Sequence, residues 1–545
     1  MSRSAIVQAS IWIAVVLIAF RFPKLGDSFF SKAEKIAAAF AAQKGLCCLS
    51  LALLVMGIRA ALLPLSEIPK PFMPDEYGYL LQSDTFASGR LTNPPHPLWE
   101  FFETPYILQR PTYNSKYPPG QGLMMAIGQL SLGDPWFGVW LSCGLLAGAL
   151  CWALQQWFPP GWALFGSIIA LPLCISSAWM ESYWGGSVAG IGGALVLGAI
   201  PRLKGTRAAV YGVIFAAGAT ILIYTRPFEG LMLLLPVLVH LIVQKIDRNA
   251  VTAIVAVGAL GAIWLGYYNY RVTGNPALLP YTEYDRQYPS TSHFNIFPLP
   301  APSEFRHANF RWIDKWERDQ WFAARKFSLI SERTSKAYEI LRMFLRSTFL
   351  AIPIAVFWPV LARNRRLRVL KWIFGGALVT LCIEAVYLEH YAAPFLTALL
   401  IFVVQAFRHL RLWEYASRPS GRWLCRGALL AMLGIYCGQE SVRIALHRPL
   451  NQNADNMRHR ALEEWLEERG GLHLVIVRYT KFLDQLQGDW IYNRADIDNS
   501  SVIWAQDLGL EKNQRLLDYF KDRHVWLFEP DEEAKLLPYG TPRFP

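Results

Sequence analysis

The sequence predicts an all-α polytopic membrane protein: a bundle of about twelve spanning helices, with short helices along its outer surface and a small α/β domain near the C-terminal end. Three observations predict it. Of 545 residues, 53% are hydrophobic, 14% aromatic and only 17% charged, which is more apolar surface than one soluble core can hide. The apolar residues gather into runs long enough to cross a hydrocarbon layer about 30 Å thick, and the alternating pattern of outer-membrane strands is absent. Lysine and arginine collect in alternate short loops between those runs, the mark of a topology signal.

Taken in order, the apolar runs are Ala5 to Phe20, Leu46 to Leu65, Pro135 to Trp157, Ala163 to Met180, Tyr183 to Ile200 and Val210 to Tyr224. Phe228 to Val243, Ala250 to Tyr268, Phe344 to Leu361, Trp372 to Leu388, Ala392 to Phe407 and Trp423 to Cys437 follow. The last carries Arg426, which must snorkel if that helix crosses a membrane. Arg3 precedes the first run and no small-residue cleavage motif follows it, so it reads as a retained helix with its start outside. Between it and the next run, Phe29 to Gln43 alternates lysines with Ala and Phe at helical spacing, as in a helix lying on the inner surface. Residues 1–44 thus form an N-terminal addition, 45–440 a transmembrane module with outward loops at 67–134 and 271–345, and 441–545 an outward α/β domain. In that last part, Leu472 to Val477, Ser501 to Gln506 and Val525 to Phe528 read as strands, and Ala461 to Arg469 and Glu511 to Phe520 as helices.

The net charge of +12 does not call for a polyanion. The basic residues lie in loops that the positive-inside rule assigns to the cytoplasm, and no basic stripe or nucleic-acid module accompanies them. All eight cysteines fall in or beside apolar runs, which predicts neither disulfides nor a zinc site.

The chemistry-bearing residues cluster in the outward loops. Asp75 and Glu76 follow Pro74 at the start of a stretch with helical spacing, where backbone N–H groups favour ionised carboxylates. A carboxylate held there beside a lipid-borne substrate is placed to act as a general base. The same loop ends with Lys116, then Tyr117-Pro118-Pro119, and a second short helix from Gln121 to Leu130. Arg226, in the turn Tyr224-Thr225-Arg226-Pro227-Phe228-Glu229 between two apolar runs, lies at headgroup depth, where ionisable groups are costly and often functional.

An Asp-Glu pair soon after a span, the turn Gly89-Arg90-Leu91 and a lysine just before Pro-Pro resemble the first outward loop of the GT-C glycosyltransferases. The chain is most similar to the protein O-mannosyltransferase and aminoarabinose-transferase branch. The likeness runs from Leu46 to Arg411 and includes Asn269-Tyr270-Arg271-Val272-Thr273-Gly274-Asn275-Pro276 and His390-Tyr391-Ala392-Ala393-Pro394. It implies a GT-C-like bundle in a bacterial inner membrane, with the site and the C-terminal domain in the periplasm. It also implies inverting transfer of a sugar from a polyprenyl-phosphate donor to a hydroxyl of a glycan, lipid or protein acceptor. The family's first-loop base maps to Asp75 and its second acid to Glu76. One departure is Tyr117, which separates Lys116 from the proline pair.

A phosphate-linked donor needs cations for its leaving group, and the outward candidates are Lys116, Arg226, Arg271 and His390. Glu181, Glu283 and Asp285 are candidates for acceptor or metal binding. A divalent cation, Mg or Mn, shared by Glu181 and Asp75 would follow the hard-oxygen pattern. Arg271 to Arg342, rich in Trp, Arg and His, reads as a lid or an interfacial segment. Two other classes remain open at this point: a transporter or flippase of a lipid-linked glycan, which calls for charges near the midplane and internal repeats, and a non-catalytic scaffold whose outward tail binds a partner.

Overall fold

The computed structural model describes residues 3–71, 73–301, 303–325, 329–446, 454–479, 490–530 and 535–540. The chain opens with α1 (Arg3–Arg21), α2 (Asp27–Ala42) and α3 (Lys44–Ala61). The first long loop then holds α4 (Pro74–Ala87), the antiparallel pair β1 (Ile107–Leu108) and β2 (Asn114–Ser115), and α5 (Pro119–Leu132). The apolar helices α6 (Trp136–Trp157), α7 (Pro160–Ile175), α8 (Gly186–Ala199), α9 (Ala208–Thr225), α10 (Pro227–Gln244) and α11 (Arg248–Thr273) follow. The second loop contributes α12 (Pro280–Gln287), α13 (Ala308–Ala323) and α14 (Leu329–Leu345). The bundle closes with α15 (Ile352–Arg363), α16 (Arg368–Ile383), α17 (Leu396–Arg411) and α18 (Ser420–Ala445).

Each apolar run expected to span carries a helix, but fewer helices qualify as spans than the dozen expected. Among the described residues six are long and apolar enough to cross a membrane, or seven if a bent pair counts as one. Three shorter apolar helices, Ile6–Arg21, Pro160–Ile175 and Gly186–Arg202, add to the bundle. The run from Phe344 to Leu361 is not one straight helix: the chain breaks where Arg346 takes φ 55°, and the segments on either side meet at 97°. The run ending at Met180 stops early, at Ile175, three residues after Pro172 inside α7.

Glycines set the closest crossings. A Cβ on Gly128 in α5 would lie 2.0 Å from Gly138 N in α6, and one on Gly138 would lie 2.2 Å from Met124 O. Only backbone fits there, which seats α5 tightly against α6 and fixes the outer rim of the bundle.

Arg426 does not snorkel, contrary to the sequence expectation. Its side chain is 5% exposed, with Nη1 2.5 Å from Asp27 Oδ1 and Nε 2.8 Å from Glu34 Oε1. Both carboxylates come from α2, and Arg411 grips Glu34 with two further hydrogen bonds. The amphipathic α2 turns its acids toward the bundle, so a buried arginine is neutralised where it sits.

Past α19 (Ala454–Glu468), β3 (His473–Val477), β4 (Val502–Gln506), α20 (Leu510–Tyr519), β5 (His524–Glu529) and β6 (Lys535–Pro538) form an α/β unit. Its sheet runs β4-β3-β5-β6, parallel except for the last pair. This unit shares a core with the first loop: Leu81, Phe101, Phe102 and Ile107 pack with Leu474, Ile476, Ile503 and Phe520. The Ala495 N–H donates to Asp84 at 2.8 Å, and His96 pairs with Asp498 at 3.0 Å. The sheet therefore backs the loop that carries Asp75 and holds it against the bundle.

Candidate functional site

A cavity of about 280 Å3 opens where the first loop, the α9–α10 turn and the second loop converge over the bundle. Of the nine residues singled out from the sequence, four line it: Asp75, Lys116, Arg226 and Asp285.

Asp75 owes its position to α4. Pro74 starts that helix with a preset φ, and the two acids occupy its first turn. Glu76 is spent on structure: its Oε2 accepts from Met73 N at 2.8 Å and its Oε1 from Tyr183 N at 2.9 Å, and the residue is 1% exposed. Glu76 thus caps the helix and ties it to the α7–α8 turn, and it does not line the cavity, contrary to the catalytic role expected for it. Asp75, one residue earlier, faces the cavity and makes no hydrogen bond to another described side chain. Burial pushes its carboxyl above the usual range, and the nearby Lys116 and Arg226 charges only partly offset that.

Lys116 follows β2 and is almost fully buried. Its Nζ sits 3.8 Å from the ring centre of Tyr106, 4.8 Å from those of Tyr281 and Tyr284, and 5.6 Å from that of Tyr117. Burial lowers its pKa, against the opposing pull of Glu317, Asp285 and Asp75. Ring faces stabilise an ammonium without satisfying its three donors, so those donors remain for an anion. Tyr106 is held at φ 68°, rare for a non-glycine, by the Tyr284 hydroxyl on its N–H and by its own hydroxyl donating to Glu317 at 2.9 Å. Backbone strain of this kind needs surrounding structure to sustain it and gathers at functional sites.

Arg226 lies between α9 and α10. Its guanidinium is 4.0 Å from the Tyr391 ring centre, and its Nη1 is 3.8 Å from Glu229 Oε1. That loose pairing leaves most of its donors uncommitted, and both residues line the cavity.

The other expectations move elsewhere. Arg271 is exposed and, among the described residues, bonds the Tyr267 hydroxyl at 3.2 Å. His390 is buried against Trp184, with ring centres 4.9 Å apart, and is not among the cavity residues. Glu283 bonds Gln287 and Arg286 on its own helix. Glu181 is bound by Arg59 Nε at 2.9 Å and Nη2 at 3.4 Å, while Arg59 also bonds the carbonyls of Ser66 and Glu67. That network fastens the end of α3 to the α7–α8 turn, so Glu181 is a structural anchor and not a partner for Asp75. Among the described residues no three His, Cys, Asp or Glu side chains gather in a way that could hold a metal.

Sequence reading missed Glu317, His293, Glu384 and most of the tyrosines of the cavity wall. Glu317 and His293 lie in the long second loop, where no short spacing marks them. The tyrosines were visible only as aromatic density.

No family model and no curated protein matches the sequence. Among solved structures the chain is similar to ArnT from Cupriavidus metallidurans bound to undecaprenyl phosphate, with a TM-score of 0.51, 12% identity, and coverage of 88% of this chain and 92% of that one. The apo state of the same protein gives a TM-score of 0.48 at 13% identity and the same coverage. The Archaeoglobus fulgidus oligosaccharyltransferase tethered with an acceptor peptide gives 0.45 at 14% identity, covering 79% of this chain and 62% of that one. The first likeness shows the fold: the chain folds as that ArnT structure does, and with its apolar helices it is a multi-pass membrane protein.

Proposed function

We propose that this protein is an inverting glycosyltransferase that moves a sugar from a polyprenyl-phosphate donor to an acceptor hydroxyl at the periplasmic face of a bacterial inner membrane. The observation that carries this reading is one cavity that holds a carboxylate unpaired among the described residues, Asp75, within electrostatic reach of two cations, Lys116 and Arg226. The undecaprenyl phosphate bound to ArnT supports the donor class.

The residues divide the work as such a displacement needs. The acceptor hydroxyl gives its proton to the Asp75 carboxylate while its oxygen forms the new bond to the anomeric carbon. The bond from that carbon to the phosphate oxygen breaks on the opposite side, and the lipid phosphate leaves with the electron pair. Lys116 and Arg226 stabilise the charge that develops there. Burial makes Asp75 a stronger base than an exposed aspartate, and transfer rises with pH as the group ionises. The tyrosines around Lys116 offer flat faces to a sugar ring.

The test is to incubate the purified protein with a panel of polyprenyl-phosphate sugars and follow donor consumption by mass spectrometry. One donor class should be consumed by the wild type and spared by Asp75→Asn. Full turnover by Asp75→Asn would refute the assignment.

A further inference from the structure

The transfer chemistry leaves a second buried acid of the cavity wall, Glu384, without a role. Glu384 stands just past α16, lines the cavity and is 6% exposed. Its backbone is fixed from several directions. Its N–H donates to Thr380 O at 3.1 Å, and Arg333 Nη2 donates to its carbonyl at 2.8 Å. The residues on either side are tied to the second loop, Ala385 N donating to His293 O at 2.9 Å and Asn295 N to Ile383 O at 2.8 Å. The side chain has no such tie: Oε1 is buried with no hydrogen-bond partner among the described residues.

Asn269, near the end of α11, repeats the pattern. It is 4% exposed and lines the same cavity. Nδ2 donates to Pro276 O at 3.2 Å, which orients the amide, and Oδ1 is buried with no partner among the described residues. The Thr291 hydroxyl oxygen, also on the cavity wall, is unpartnered in the same way and can donate or accept. Buried polar atoms left unpaired are costly, so a wall that gathers them is suited to a ligand that pairs them. The atoms themselves say what that ligand must bring. An amide oxygen only accepts, and a carboxyl keeps an accepting oxygen whether ionised or not. The oxygens of a lipid phosphate are acceptors too and cannot pair with them, whereas sugar hydroxyls can. Arg226 lies within electrostatic reach of Glu384, so a phosphate held by Lys116 and Arg226 brings its attached sugar to this wall.

We propose that Glu384 and Asn269 accept hydrogen bonds from hydroxyls of the donor sugar, and so make the cavity distinguish the sugar-bearing lipid from the bare lipid phosphate left after transfer. This rests on the donor reading given above. The donor pairs both acceptors, and the spent lipid brings no hydroxyl to them. Binding energy is withdrawn as the sugar departs, which favours exchange of the product for a fresh donor.

The experiment measures binding to the purified full-length protein in detergent, with no acceptor substrate present, of undecaprenyl phosphate and of undecaprenyl phosphate carrying glucose, mannose or galactose. At least one sugar-bearing lipid should bind the wild type about tenfold more tightly than undecaprenyl phosphate does. Glu384→Leu should weaken that lipid about tenfold to a hundredfold, the worth of a hydrogen bond to a charged group, while the affinity for undecaprenyl phosphate, which also reports an intact fold, stays at the wild-type value. Glu384→Gln keeps an accepting oxygen and should stay within about threefold of the wild type for both lipids. Asn269→Leu, which leaves the end of α16 untouched, should show the same selective loss as Glu384→Leu. Equal affinity of the wild type for the bare and all the sugar-bearing lipids, or unchanged sugar-lipid affinity in Glu384→Leu and Asn269→Leu, would overturn this inference alone. Failure of the wild type to bind any of these lipids would remove the donor reading as well.

Discussion

Two regions of the molecule bury charge, and they do so in opposite ways. At the α2 face, Arg426 is enclosed by Asp27, Glu34 and Ser31, and Arg411 completes the shell around Glu34. Although burial raises the Glu34 pKa, the arginines outweigh it and hold the carboxyl at about 2. In the cavity, the half-buried Asp75 and the buried Lys116 have no direct ion-pair partner among the described residues, and desolvation wins for both: the acid is pushed up and the amine down. The first region is electrically complete. The second is held incomplete by the fold, which is the state a binding site must keep until a ligand arrives. The difference teaches that burial alone does not mark a functional charge; a missing partner does. Arg59 with Glu181, buried and bonded to each other, belongs with the first region.

The largest effect should come from removing the base. Asp75→Asn is expected to cut transfer by about 10²–10⁴-fold, read as donor turnover by mass spectrometry, while donor binding persists. A variant with wild-type turnover would place Asp75 among the structural charges and erase the contrast. Lys116→Gln comes next: undecaprenyl phosphate affinity should fall about tenfold to a hundredfold, the worth of a charge-assisted contact, with little loss of thermal stability. Arg426→Gln should invert that pattern. Leaving Asp27 and Glu34 without their shared partner is expected to destabilise by about 1–3 kcal/mol, discounted because both acids keep about a third of their exposure. Transfer by the surviving folded protein should stay near wild type. Loss of turnover without loss of melting temperature would mean that the α2 face also serves the site.

The helical bundle was readable in the sequence because apolar runs report burial directly, and α4, α5 and the C-terminal strands β3, β4 and β5 lie close to where periodicity put them. Proline, glycine and side-chain bonds decided the rest, and none of these is a matter of hydropathy. The break at Arg346 hides inside a run that reads as continuous, and β6 is too short to announce itself. Of the residues expected in the site, Asp75, Lys116 and Arg226 come together in the cavity; Asp75 and Arg226 each stand beside a proline, and Lys116 stands two residues before one. For Glu76 the sequence shows only two acids side by side; the Met73 and Tyr183 N–H groups that bond it, the second contributed from beyond α6 and α7, appear in the fold alone. His293 and Glu317 reach the cavity by long-range folding of the second loop, and their sequence neighbours carry no trace of it.

The smallest effect separates the two regions most cleanly, because its sign differs between them. Glu34 is lowered from 4.5 to about 2 in the folded protein, so its contribution to stability is complete above about pH 4.5 and fades as pH falls toward 2. Asp75 is raised above its ordinary 3.8, so the folded state holds its proton more firmly than the unfolded chain does. Ionising it therefore costs stability as pH rises past 3.8. Melting curves against pH should show Glu34→Gln less stable than wild type near neutrality and equal to it in strong acid. Asp75→Asn should be more stable near neutrality, with that advantage vanishing in acid. Opposite signs at neutral pH would establish that one carboxylate serves the fold while the fold bears a cost to keep the other. Matching signs would show that Asp75 has a partner in the folded protein, and the case for it as the base would fail with that.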